Sequence, residues 1–379
     1  MIQTTTSVEF AHDSATYELQ RCLDAVMKHG ARSVLVMGCD ADSWTPARVD
    51  PVLTALPIPV FGGTFPSIIH QGRRLDHGTL VVGLGERATV AVLNDLSTHG
   101  EDMDAAVRHG CAAMTGAASL ITLVDGLAKH IERFVESLYS LIGPGRDIVG
   151  CGAGSLSFVQ KPCLFTNHGL LQDAAVVIGL PFPVSRGVQH GWETLDGPYL
   201  VTGSRGHVLD TLNYQPAFDV YRTRVEAASG LRFAEHDFFS IAKTYPFGIE
   251  RLDGDLLVRD PIRLEGNALV CVGEVPENAM VYILKGQAAR LVDSAGTAAS
   301  EARASYDARR SRGAPSALVF DCISRVLFLN LEFDRELEAI QHGLGDFRHA
   351  FGALTLGEIA NTYNGPINLL NKSTVIGVF

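Results

Sequence analysis

The chain has 379 residues, of which 46% are hydrophobic and 19% charged, which is core material for two ordinary domains. Its formal net charge of −11 argues against the clustered positive surface that nucleic acid or an anionic membrane requires. Seven cysteines (Cys22, Cys39, Cys111, Cys151, Cys163, Cys271 and Cys322) form no C-x-x-C pair, so neither a disulfide framework nor a zinc site is indicated.

The opening MIQTTTSVEF has no basic stretch leading into an apolar core, and no apolar run approaches the roughly 20 residues of a membrane span. A cytoplasmic protein without membrane insertion is expected. Residues 7–10 read as a strand. Asp13 or Ser14 then caps a helix whose apolar face is Ala15, Leu19, Cys22, Leu23, Val26 and Met27, closed by Gly30. Ser33–Cys39 is a fully apolar strand, followed by a short helix over 48–56 and strands at 59–65, 68–71, 79–84 and 89–93. So many consecutive strands argue for antiparallel pairing rather than simple β-α-β alternation.

A helix is expected over 102–114, a strand over 119–124 and an amphipathic helix from Ile131 to Ile142, stopped by Gly143-Pro144. Strands follow at 148–151, 163–165, 174–180 and 199–202, then a helix through Phe218, Tyr221, Val225 and Ala228 ending at Gly230. The 1–125 and 125–230 segments are loosely similar in order. Beyond Leu231, strands are expected at 256–258 and 268–272, a long alanine-rich helix over 280–312, a strand joined to a helix over 316–329 and an amphipathic helix over 332–344. Closing strands are read at 353–359 and 375–379. The fold class is α/β and two-lobed, with mixed sheets of many antiparallel strands flanked by helices. The domains are placed at 1–230 and 231–379.

Few motifs survive scrutiny. Gly83-Leu84-Gly85-Glu86-Arg87-Ala88 matches G-x-G-x-x-A, but a strand follows it where a phosphate-binding helix is needed, so a hairpin is read instead. Gly150-Cys151-Gly152-Ala153-Gly154 likewise opens no helix. Walker A, G-x-S-x-G and H-E-x-x-H sequences are absent, and no enzyme is read. A Cys or Ser hydrolase, with Cys151 or Cys163 activated by His168, lacks any local signature. The remaining stretch of interest is the loop between 174–180 and 199–202, which holds Arg186, His190, Trp192 and several glycines. Neutral imidazole is the usual proximal ligand of haem iron, and Trp192 with Pro181-Phe182-Pro183 offers flat apolar surface. His190 is therefore the candidate cofactor ligand, with His168 and His70 as rivals in comparable strand-edge loops.

In order along the chain, SVLVMGCD (33–40), PVFGGTFPSIIHQG (59–72), the glycine-rich region 179–203, FDCISRVLF (320–328) and the closing GALTLGEIANTYNGPINLLNKSTVIGVF (352–379) resemble the FIST family of sensory proteins. Coverage is nearly the whole chain, with FIST N expected over 1–230 and FIST C over 231–379. The resemblance implies an intracellular stand-alone sensor, and is nearest to the bacterial branch that detects nitric oxide through non-covalent haem b and regulates a partner histidine kinase. It implies His190 as the iron ligand, Arg186 beside a haem propionate and Trp192 against the macrocycle. Homodimerisation is left open. The alternative within the family is a haem-free sensor of an amino acid or similar small molecule. That molecule would bind between the lobes, contacted by Glu358, Asn361, Asn371 and Arg325.

Overall fold

In the computed structural model, residues 5–251, 255–309, 315–347, 349–361 and 365–379 are described. Mixed sheets with mostly antiparallel strands and flanking helices are observed, as the sequence suggests. Three six-stranded sheets form one body, and a ring of strands forms a second.

The three sheets repeat one plan. The first runs Thr5–Ala11, Thr79–Leu84, Ser33–Cys39, Val60–Phe65, Leu164–Thr166, Gly169–Leu171. The second runs Thr89–Leu93, Ala175–Leu180, Ser119–Asp125, Ile148–Ala153, Glu358–Asn361, Ile367–Leu370. The third runs Ser185–Gln189, Thr374–Val378, Ser316–Cys322, His349–Thr355, Ser67–His70, Arg73–Leu75. In each, the third and fourth strands are parallel and their neighbours antiparallel. A helix crosses between the parallel pair: Pro46–Leu53, Ile131–Ile142, or Ile323–Leu329 with Phe333–Leu344. The last two strands of every sheet are a hairpin donated by the next repeat in a cycle.

Packing follows from this plan. Alternate residues of a strand face opposite sides of a sheet. Leu35, Phe61, Ile121, Val149, Phe320 and Phe351 thus meet in one central core drawn from all three sheets. The opposite faces pack on helices: Thr16–Lys28 with Pro46–Leu53, Met103–Gly110 with Ile131–Ile142, and Ala288–Ala308 with Phe333–Leu344. The parallel pairs are close enough to need glycine at one register. A Cβ on Gly62, Gly150 or Gly352 would lie 1.8, 2.0 or 1.9 Å from the carbonyl oxygen of Val36, Thr122 or Val319.

The second body interrupts the third repeat, between Ser185–Gln189 and Ala288–Ala308. Its strands run Glu193–Arg205, Met280–Lys285, Phe247–Glu250, Leu256–Glu265, Ala268–Val272, Val208–Leu212. Pairing of Val208–Leu212 with Glu193–Arg205 closes them into a six-stranded barrel. Helix Ala217–Ser229, ended by Gly230, packs on the barrel through Phe218, Tyr221 and Val225.

Several expected elements differ. Residues 280–285 are a barrel strand, with Val281 and Ile283 buried, and the helix begins only at Ala288. β-Branched alternation outweighs the alanine content that follows. Residues 310–312 of that expected helix lie outside the described residues. The helix read over 102–114 is broken: the α-helix covers only Met103–Gly110, and Ala112–Gly116 is a 3-10 turn. The strands flanking Gly83–Ala88 do not pair as a hairpin, because Thr79–Leu84 and Thr89–Leu93 enter different sheets. Residues 353–359 likewise divide between His349–Thr355 and Glu358–Asn361, in separate sheets. The stretch read as the His190 loop is largely strand: Ser185–Gln189 pairs with Thr374–Val378, and Glu193–Arg205 opens the barrel. Its partner lies at the far end of the chain, so local sequence carries no trace of the pairing.

Candidate functional site

The cyclic plan creates three related clefts, each beside the first strand of a repeat and that repeat's donated hairpin. His70, His168 and His190 fall one to each. His168 is exposed on a cleft with Arg87, Thr89 and Asn94. His70 borders a cleft of about 740 Å³ between the first strand and the third sheet. His190 ends the strand Ser185–Gln189, where the three-sheet body meets the barrel edge at Arg251 and Asp255–Val258.

The His190 cleft is small and polar. Its cavity is about 70 Å³, lined by Arg186, His190, Arg251, Asp255 and Glu301 among others, with Asn371 and Ser373 closing it. That volume is about half of the ~150 Å³ that admits benzene in an engineered cavity, so its enclosed part has room for only a few non-hydrogen atoms. Both signs of charge are present. His190 accepts the Trp192 backbone N–H through Nδ1 at 3.0 Å and turns Nε2 toward Asp255 at 3.8 Å. That imidazole holds the Asp255 carboxyl below its ordinary range. Gln189 donates to Glu301 at 2.9 Å, and burial pushes the Glu301 carboxyl up. Arg186 pairs with Asp147 at 3.1 Å and donates to Asn361 at 2.8 Å. Burial lowers its guanidinium from the usual value.

Behind this cleft lies a buried ionic layer. Arg325 grips Glu336 with Nε and Nη2 at 2.8 and 2.6 Å, reaches Asp321 at 3.3 Å, and donates Nη1 to the His190 carbonyl at 2.6 Å. Lys372 pairs with Asp260 at 3.1 Å, donates to the Lys243 carbonyl at 2.9 Å and lies 4.7 Å from the centre of the Trp192 ring. Trp192 donates its indole N–H to the Lys372 carbonyl at 3.0 Å and packs edge-on to Phe328. Glu358 accepts from Thr355 and Ser373, both at 2.6 Å, and burial pushes its carboxyl up to about 7.

The sequence-derived candidates separate accordingly. His190, Arg186 and Asn371 line the cleft, and Asn361 orients Arg186 from beside it. Arg325 and Glu358 are wholly buried behind it. Trp192 is buried in the core beneath Phe328 and Lys372, so the expected flat cofactor surface is already covered. Asp255, Glu301 and Arg251 were not legible in the sequence, being single charged residues, two flanking the barrel strands Phe247–Glu250 and Leu256–Glu265 and one on the helix Ala288–Ala308. Cys151 and Cys163 are buried with thiols pushed well up, the reverse of an activated nucleophile, while His168 is exposed.

Haem does not fit at His190. The cavity of about 70 Å³ is far too small for a porphyrin, and Nδ1 of the ring already accepts the Trp192 N–H. No group of three or more His, Cys, Asp or Glu side chains among the described residues could hold a metal ion.

The fold and cleft are those of a mixed α/β molecule built from three repeats and a barrel, with a small polar pocket where the two bodies meet. The chain belongs to the FIST family of signalling sensor domains: the FIST N domain matches residues 32–215 and the FIST C domain residues 217–361. No curated protein matches it. Among solved structures, PurLQS from Thermotoga maritima aligns over 100% of this chain and 73% of its own at 11% identity and a TM-score of 0.21. T. maritima PurL complexed with ATP aligns over 100% and 72% at 10% identity and 0.20. Likeness at that level carries no argument about fold or ligand. No helix among the described residues is long and apolar enough to cross a membrane.

Proposed function

We propose that this FIST protein is a signalling sensor whose input is a zwitterion of small amino-acid size, received in the His190 cleft. One observation carries the reading: a cavity of about 70 Å³ is lined by Arg186 and Arg251 and also by Asp255 and Glu301. A ligand with a carboxylate and an ammonium group places each charge near groups of the opposite sign, whereas a singly charged ligand also meets groups of its own sign. The nitric-oxide reading through haem b on His190 has no support in this cleft, and no step is derived through that group.

The cleft joins two bodies, so a ligand bridging residues 186–190 and the barrel edge at Arg251 and Asp255–Val258 favours one arrangement of barrel and sheets over another. Switching a partner requires a differential affinity of about a few kcal/mol between those arrangements. A histidine kinase as that partner, and a cytoplasmic setting, belong to the same proposal.

The test is thermal unfolding of the full chain with glycine, alanine and serine. A binding ligand at about 100 times its Kd adds about 2.7 kcal/mol and raises Tm. Asp255→Asn should abolish the rise. A Tm unmoved by all three, or moved equally by acetate or methylamine, removes the zwitterion reading.

A further inference from the structure

The plan that builds the His190 cleft in the third repeat builds the cleft of about 740 Å³ around His70 in the first, and its walls differ in kind. Phe10 stands on its first strand, with His70 at the tip of the donated hairpin; Phe351, on the antiparallel neighbour His349–Thr355, is buried behind them. His12, His349 and Arg73 add polar and basic groups to the lining. The Phe10 ring stacks on His70 with centroids 5.6 Å apart and meets His12 edge-on at 4.7 Å. No Asp or Glu lines this cleft among the described residues, although the chain as a whole carries a net charge of −11.

We propose that this first-repeat cleft is a second binding site, for a planar aromatic molecule bearing one or more carboxylates. Aromatic walls favour a flat π-system, by offset stacking and by the guanidinium of Arg73 over its face. Imidazole and guanidinium donors with no competing carboxylate favour an anion, and a volume of this order is typical of organic-ligand sites. Burial, and then His12, lower the proton affinity of His70, which keeps it a neutral donor in the free protein. In the His190 cleft the acids Asp255 and Glu301 oppose such a ligand. The same scaffold therefore presents two clefts of different selectivity.

Isothermal titration of the full chain with indole-3-acetate, its neutral analogue indole-3-ethanol and acetate tests this. Saturable binding of indole-3-acetate is expected, at least tenfold tighter than indole-3-ethanol or acetate, and weakened about tenfold by Arg73→Gln, an exposed substitution that leaves the core intact. Equal binding of the acid and the alcohol, indifference to Arg73→Gln, or no saturable binding of indole-3-acetate overturns it. Asp255→Asn should leave this binding unchanged, so either cleft can fail without the other.

Discussion

Buried charge is the dominant theme at the level of single residues. Asp321, Arg325, Glu336, Glu358 and Lys372 are fully buried, and Asp260 nearly so. Such pairs contribute little net stability, but removing one partner strands the other in a medium that solvates it poorly. Lys372→Met should therefore destabilise the fold by about 3–5 kcal/mol in urea unfolding, and adding Asp260→Asn should recover part of the loss. Lys372 also holds a φ of 56°, a left-handed backbone that is costly for a residue with a side chain. Its contacts to Asp260, Lys243 and Trp192 fix that conformation. Glu358 gives a pH signature. Its folded carboxyl is raised to about 7 from an ordinary 4.5, so between these values the native state holds a proton that the unfolded state has released. Its contribution then makes stability fall as pH rises from 4.5 to 7, by about 3 kcal/mol in total. Subtracting the pH profile of Glu358→Gln from that of the wild type should reveal this slope, and a flat difference would remove it.

Glycine spacing at the level of elements sets the parallel pairs. A Cβ at position 150 would abut the Thr122 carbonyl, whereas one at Gly116 would meet nothing within 4 Å. Gly150→Ala should cost about 1–3 kcal/mol or more through forced strand separation, while Gly116→Ala should be close to neutral, both read by chemical denaturation. The strands were readable because each is an apolar run of the right length: Ser33–Cys39 and Ser119–Asp125 are buried on both faces. The 280–312 stretch misled because helix propensity summed over alanines conceals a short strand in front. Gly286 ends that strand where a Cβ would lie 2.3 Å from the Trp192 ring, a constraint invisible before the barrel closes.

For the whole molecule, the two bodies meet at the cleft, and Trp192 sits behind it on the inner side. With Trp44→Phe as background, Trp192 is the sole indole of the chain. Glycine or alanine binding at His190 should change its emission, because the ring touches Lys372 and Phe328 and its backbone N–H is held by His190. Indole-free ligands of the His70 cleft, such as benzoate, should leave that emission unchanged. Both outcomes follow from separation by the third sheet, and fluorescence titration checks them.

Local pattern alone determined the positions of most strands and helices, the mixed α/β class and the family resemblance, because apolar periodicity and glycine punctuation act over a few residues. It also singled out His70, His168 and His190 without relating them. Only the tertiary structure decided that these belong to three clefts of one cyclic plan, that Trp192 is core, and that Asp255 and Glu301 face His190. Those relations depend on hairpins handed from one repeat to the next and on a strand paired with the last residues of the chain. Contacts over such separations are set by packing of the whole core and leave no local mark.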